Sequence, residues 1–128
     1  MREISELLRV TLPELPPSTN HMYMTGKNGN RYKREEVSMW QEETAKKMRS
    51  LWKAEPYTGH VEVKIVFRFK GNRRWDIDNR LKSLLDCLEM AGVIRDDSQI
   101  WGEIAYKERA IRDGVEMTIS EYTSPPEK

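Results

Sequence analysis

The chain has 128 residues, 34% of them charged and 38% apolar, with a formal net charge of +1 at pH 7. That length holds one modest core with little room for a second domain, and no apolar run approaches the roughly 18–20 residues that span a bilayer. One cysteine, Cys87, excludes an internal disulfide, and with only two histidines beside it the chain falls short of the four Cys/His ligands usual in structural zinc sites. With the charge so nearly balanced, any nucleic-acid surface must come from local clusters of basic residues. The opening stretch MREISELLRVTLPELPP mixes acids and bases and lacks the apolar centre of a secretion signal. Together with the lone cysteine this points to a cytoplasmic protein that does not enter a membrane.

In chain order, LRVTL (8–12) alternates apolar and polar residues and reads as a short strand, closed by Pro13 and the Pro16-Pro17 pair. Residues 18–33 are rich in Asn, Gly and aromatics, and TGKNGNRYK predicts a hairpin turn centred on Asn28-Gly29, where Asn-Gly supplies positive φ. A helix is expected over 35–54, with Val37, Trp40, Thr44, Met48, Leu51 and Trp52 near one face and Pro56 and Gly59 ending it. Val61, Val63, Ile65, Phe67 and Phe69 alternate strictly with polar residues and give the clearest strand.

The segment GNRRWDIDN then leads into a second helix, where Leu81, Leu84, Leu85 and Leu88 recur at helical spacing and Gly92 is a natural stop. A loop with Arg95-Asp96-Asp97-Ser98 leads to a strand around 99–109. Asp113-Gly114 turns the chain into a last strand, Val115 to Glu121. The order β, hairpin, α, β, α, β, β has no internal repeat. It predicts a single small α/β (α+β) domain over 1–123, with a mixed sheet and two main helices, and a loose tail at 124–128.

The strongest chemical signal is Asp76-Ile77-Asp78-Asn79, at the handover from strand to helix. In an extended segment residues two apart point the same way, so Asp76 and Asp78 are expected to share one point while Ile77 packs inward. Two carboxylates suit a hard cation such as magnesium, which polarises a phosphodiester and activates water. Lys82, one helical turn beyond Asp78, is placed to neutralise a phosphate transition state. Structural roles compete: Asp78 or Asn79 as a helix N-cap, Lys82 paired with Asp78 or Asp86, and Asp96-Asp97 as a plain turn.

The stretch RRWDIDNRLKSLLDCLEMAGVIRDDSQI resembles the RusA family of Holliday-junction resolvases, which are often prophage-encoded. A basic run precedes D-x-D-N, a lysine follows four residues after the second Asp, and the helix ends in an A-G-x-x-x-D-D loop. The N-terminal pattern from Leu12 to Asn20 is also similar. The resemblance implies a RusA-like fold and assigns Asp76, Asp78 and Asp97 as metal-binding catalytic carboxylates, Lys82 as the catalytic lysine, and Asn79 as a supporting residue of the DNA site. It further implies magnesium, no small-molecule cofactor, and a homodimer that makes paired nicks in a four-way DNA junction. Two copies of one site match the two-fold symmetry of such a junction.

A flap- or fork-cutting nuclease and a non-catalytic branched-DNA-binding protein of a mobile element are the alternatives. Trp75 stands where a basic or small polar residue is expected, as a packing residue, a dimer contact or a base-stacking platform. Candidate DNA contacts are Lys27, Arg31, Lys33 and Arg34 around the hairpin, and Lys70, Arg73 and Arg74 beside the acidic motif.

Overall fold

The structure, a computed structural model, describes residues 5–18, 23–25, 31–33 and 35–123. Strand β1 (Glu6–Leu12) is followed by two short paired strands, β2 (Tyr23–Thr25) and β3 (Arg31–Lys33). Helix α1 (Glu35–Leu51), strand β4 (Val61–Phe69), helix α2 (Asp78–Met90), a 3-10 turn (Asp97–Gln99) and strands β5 (Ile100–Arg109) and β6 (Gly114–Glu121) complete the order. The main sheet runs β1-β6-β4-β5, with β4 parallel to β5 and antiparallel to β6. It is the mixed-sheet α+β domain that the sequence predicts. The arms of the expected hairpin pair as Tyr23↔Lys33 and Thr25↔Arg31, while its turn lies outside the described residues, as does the 124–128 tail.

Strict alternation on β4 puts Val61, Val63, Ile65, Phe67 and Phe69 on one face, each nearly inaccessible to solvent. Leu8, Val10 and Leu12 from β1 and Val115, Met117 and Ile119 from β6 extend that apolar face, and both helices contribute to the core it forms. Helix α1 buries Val37, Thr44 and Met48 as expected, but it ends at Leu51, which stays about half exposed. Pro56 restricts the residue before it to extended backbone, and the Trp52 indole N–H donates to the Glu55 carbonyl (3.1 Å), so the chain leaves the helix early.

Between the helices lies a polar seam. Gln41, fully buried, donates through Nε2 to the Ser83 carbonyl (2.9 Å), and the Cys87 thiol donates to that same carbonyl (3.3 Å). Two further bonds tie the proline segment after β1 to α2: Arg80 Nη1 donates to the Pro16 carbonyl (2.6 Å) and Ser83 Oγ to the Pro17 carbonyl (2.9 Å). Gly92, at φ +75°, ends α2 by the left-handed turn that glycine allows, with the Val93 N–H reaching back to the Leu88 carbonyl (3.0 Å).

Candidate active site

The acidic motif is held from both sides. Upstream, β4 ends at Phe69 and the loop turns at Gly71 (φ +81°). Asp113, from the β5–β6 connection, accepts from the Lys70 backbone N–H (3.1 Å) and from Arg73 Nη2 (2.5 Å). The Lys70 N–H, and then Arg73, hold the Asp113 carboxyl below the ordinary carboxylate range. Trp75 inserts edge-on against Phe67 and Phe69, with ring centroids 5.5 Å away in each case. Of the roles open to Trp75, packing is what the structure shows: its ring joins the core, with Arg80 and Lys107 cations 5.3 and 4.9 Å from its centroid.

Downstream, α2 begins at Asp78. Ile77, in the N-cap position, already has helical dihedrals (φ −56°, ψ −46°), and no side chain caps the helix. Neither Asp78 nor Asn79 is used as a cap, so the N-cap alternative falls, while the Lys82–Asp86 pairing and the Asp96-Asp97 turn are both present. The expected extended alternation is also replaced, since the motif sits at the first turn of a helix. Asp76 and Asp78 nevertheless line one cleft of about 400 Å³, with Trp75, Ile77, Asn79 and Lys107, while Ile77 packs on the core as anticipated. Asn79 Nδ2 lies 3.5 Å from Asp76 Oδ2, at the limit of a hydrogen bond.

A second groove, also about 400 Å³, runs along α2 against β5, lined by Asp78, Leu81, Lys82, Leu85, Asp86, Asp97, Ile100 and Glu103. Lys82 Nζ is 3.6 Å from Asp86 Oδ1 one helical turn on, the lysine exposed and the aspartate partly buried. Asp78 and Asp97 sit at opposite ends of this groove. The Asp97 N–H donates to Glu89 Oε1 (2.9 Å), which fixes Asp97 beside the last turn of α2. Residues 78 and 89 are separated by about 16 Å of helix axis at 1.5 Å per residue. Within one chain, Asp76, Asp78, Asn79 and Lys82 thus gather at one end, and Asp97 stands at the other.

Asp97 has acidic neighbours of its own: carboxylate oxygens of Glu89, Asp96 and Asp97 lie within 4.8 Å of one another. Asp96 has a clear structural task. Its side chain accepts from the Ser98 N–H (2.9 Å), while the Gln99 side chain accepts from the Asp96 N–H (3.0 Å), forming a capping box on the 3-10 turn. The Ser98 N–H, with a smaller contribution from Asp97, keeps the Asp96 carboxyl below its ordinary range.

Of the basic candidates, Arg73 is engaged by Asp113, whereas Arg74 is exposed and forms no ion pair with a described residue. Lys70 is exposed, and its backbone N–H donates to Asp113. Arg31 and Lys33 occupy β3, and Lys27 and Arg34 lie outside the described residues.

Sequence reasoning missed Lys107 and Glu103. Pairing of Phe67 with Lys107 and Val63 with Glu103 puts both on the helix-side face of β5, where they line the two clefts. The register that identifies them is a property of the fold, and β5 itself lacks the alternation that would have announced it.

Paired carboxylates at a helix start and a lysine one turn on can together hold a hard cation and face a phosphate. Hard carboxylate oxygens are also the right ligands for magnesium, so the residues fit the metal that the sequence suggests. The family model for endodeoxyribonuclease RusA matches residues 14–120. The crossover junction endodeoxyribonuclease RusA of Aquifex aeolicus (strain VF5) is 31% identical over 125 residues, covering 95% of this chain and 99% of that protein. The chain belongs to the RusA family of endodeoxyribonucleases.

Proposed function

We propose that this protein resolves four-way DNA junctions as a homodimer, making a magnesium-dependent nick in each of two strands. The observation that carries this reading is the cleft shared by Asp76 and Asp78, with Lys82 one helical turn beyond, in a chain similar to a crossover junction endodeoxyribonuclease. Magnesium bound by these carboxylates would polarise the scissile phosphodiester and lower the pKa of the attacking water. Lys82 neutralises charge that builds on the phosphate, Asn79 steadies Asp76, and Arg74 with Lys70 and Arg73 holds neighbouring phosphates through salt-dependent contacts. The domain extends over 1–123 and works in the cytoplasm.

Dimerisation also answers where Asp97 acts. The stripe of α2 that lines this groove, Asp78-Leu81-Lys82-Leu85-Asp86, complements itself when run antiparallel against a second copy. Leu81 and Leu85 then meet their counterparts, Lys82 faces an acidic partner at the position of Asp86, and Asp78 comes to the end where Asp97 of the partner subunit lies. In this arrangement each metal site takes Asp76 and Asp78 from one chain and Asp97 from the other.

Mixed dimers test the point. Asp78→Asn and Asp97→Asn homodimers should each fail to cut. A heterodimer of the two keeps one complete site if the sites are shared, and should restore a single nick per junction. A heterodimer as inactive as either parent would mean that each site is built within one chain. A fully active Asp97→Asn homodimer would remove Asp97 from the chemistry.

A further inference from the structure

Lys107 lies on β5, far in sequence from the acidic motif, and is on the sheet face that carries α2. Its register partner Phe67 is fully buried at the centre of that face. A cation on the core side of an edge strand is a known defence against edge-to-edge aggregation, but here its ammonium has a specific target. Nζ donates to the Trp75 carbonyl (2.8 Å), the peptide immediately before Asp76, and stands 4.9 Å from the centroid of the Trp75 ring. Lys107 also lines the cleft of Asp76, Asp78 and Asn79.

Trp75 is therefore fixed twice, its ring by Phe67 and Phe69 and its carbonyl by Lys107. The bond crosses from β5 to the loop that presents the first carboxylate. Rotation of the Trp75–Asp76 peptide would swing the Asp76 side chain, and breaking the Lys107 bond is the step that would release that rotation. Of its three donors an ammonium gives one to this carbonyl, and the others meet no further described residue.

We propose that Lys107 is a positioning residue for Asp76: it locks the peptide before the motif so that Asp76 and Asp78 present their oxygens together to a divalent cation. This rests on the metal-dependent reading above. Partners that orient metal ligands typically contribute 10–100-fold in metal affinity or activity. Lys107→Met keeps the aliphatic length over Trp75 and loses the donor, whereas Lys107→Arg keeps both cation and donor.

The test pairs manganese titration calorimetry on the DNA-free dimer with the magnesium dependence of junction cleavage and with junction binding in EDTA. Lys107→Met should need about 10–100-fold more metal for half-saturation in both metal assays. Its junction affinity in EDTA and its thermal midpoint should remain near the parent's, and Lys107→Arg should recover most of the metal affinity. Unchanged metal affinity in Lys107→Met would overturn the role, as would Lys107→Arg being equally impaired. A defect confined to junction affinity would overturn it too, making Lys107 a DNA contact. A parent protein that takes up no metal would overturn the functional reading itself, an outcome separable from a normal parent with an unaffected Lys107→Met.

Discussion

At the scale of single residues, Asp113 shows how a remote carboxylate shapes the approach to the site. It grips the Lys70 N–H and Arg73 just where the chain leaves β4 for the acidic motif. Its folded-state pKa is depressed, so its stabilisation is fully present above the unfolded value of about 3.9 and is lost as pH falls through the folded value. Asp113→Asn should cost about 1 kcal/mol at neutral pH, a modest figure because the Arg73 partner is half exposed and screened. Urea denaturation from neutral pH down to about pH 2 should show the difference between parent and variant shrinking in acid. A difference that stayed constant with pH would deny the ionised carboxylate this part.

Single residues were also where the sequence was most and least informative. Asp76, Asp78 and Lys82 stand out because few chemistries need that spacing, and the structure leaves both carboxylates free of capping duty. Glu103 and Lys107 were hidden. Strand β5 (IWGEIAYKER) lacks strict alternation, and its register with β4 shifts at Val61/Glu62. Which of its residues face α2 cannot be counted off from either end. Trp75 was ambiguous for a related reason: its role depends on Phe67 and Phe69, whose spacing from it is set by a loop turning at Gly71.

At the scale of elements, α2 organises the site. Its leucine periodicity predicted its core face, and Leu84 and Leu88 are fully buried. Periodicity alone could not foretell the seam that sets α2 against α1, because Gln41 is polar and yet has no exposed surface. Gln41→Ala removes its bond to the Ser83 carbonyl and opens a cavity, and should destabilise the protein by about 2 kcal/mol in urea denaturation. An unaffected midpoint would mean that the seam is dispensable. Sequence spacing likewise could not place Asp97. It is a short loop away from α2, and it is the Glu89 contact that fixes it at the far end of the helix from Asp78.

At the scale of the whole molecule, the sheet buries one face under two helices and leaves β5 as an edge beside the groove. No described helix is long and apolar enough to cross a membrane. A symmetric pair of such domains, each offering one end of α2 to the other, would present two sites to a substrate that itself has near two-fold symmetry. Fold class and element order were legible throughout in strand alternation and helical periodicity. What the sequence does not spell out is the pairing proposed above, of two such chains along the stripe of α2 that lines the groove.

The most direct measurement is cleavage of a labelled, immobile four-way junction and a linear duplex of matching sequence, with and without magnesium, by the parent protein and Asp76→Asn. Symmetric nicks are expected in the junction alone, only with magnesium, and only by the parent, with Asp76→Asn still binding the junction. Tight binding by the parent without any cut, or full cleavage by Asp76→Asn, would contradict the proposed function.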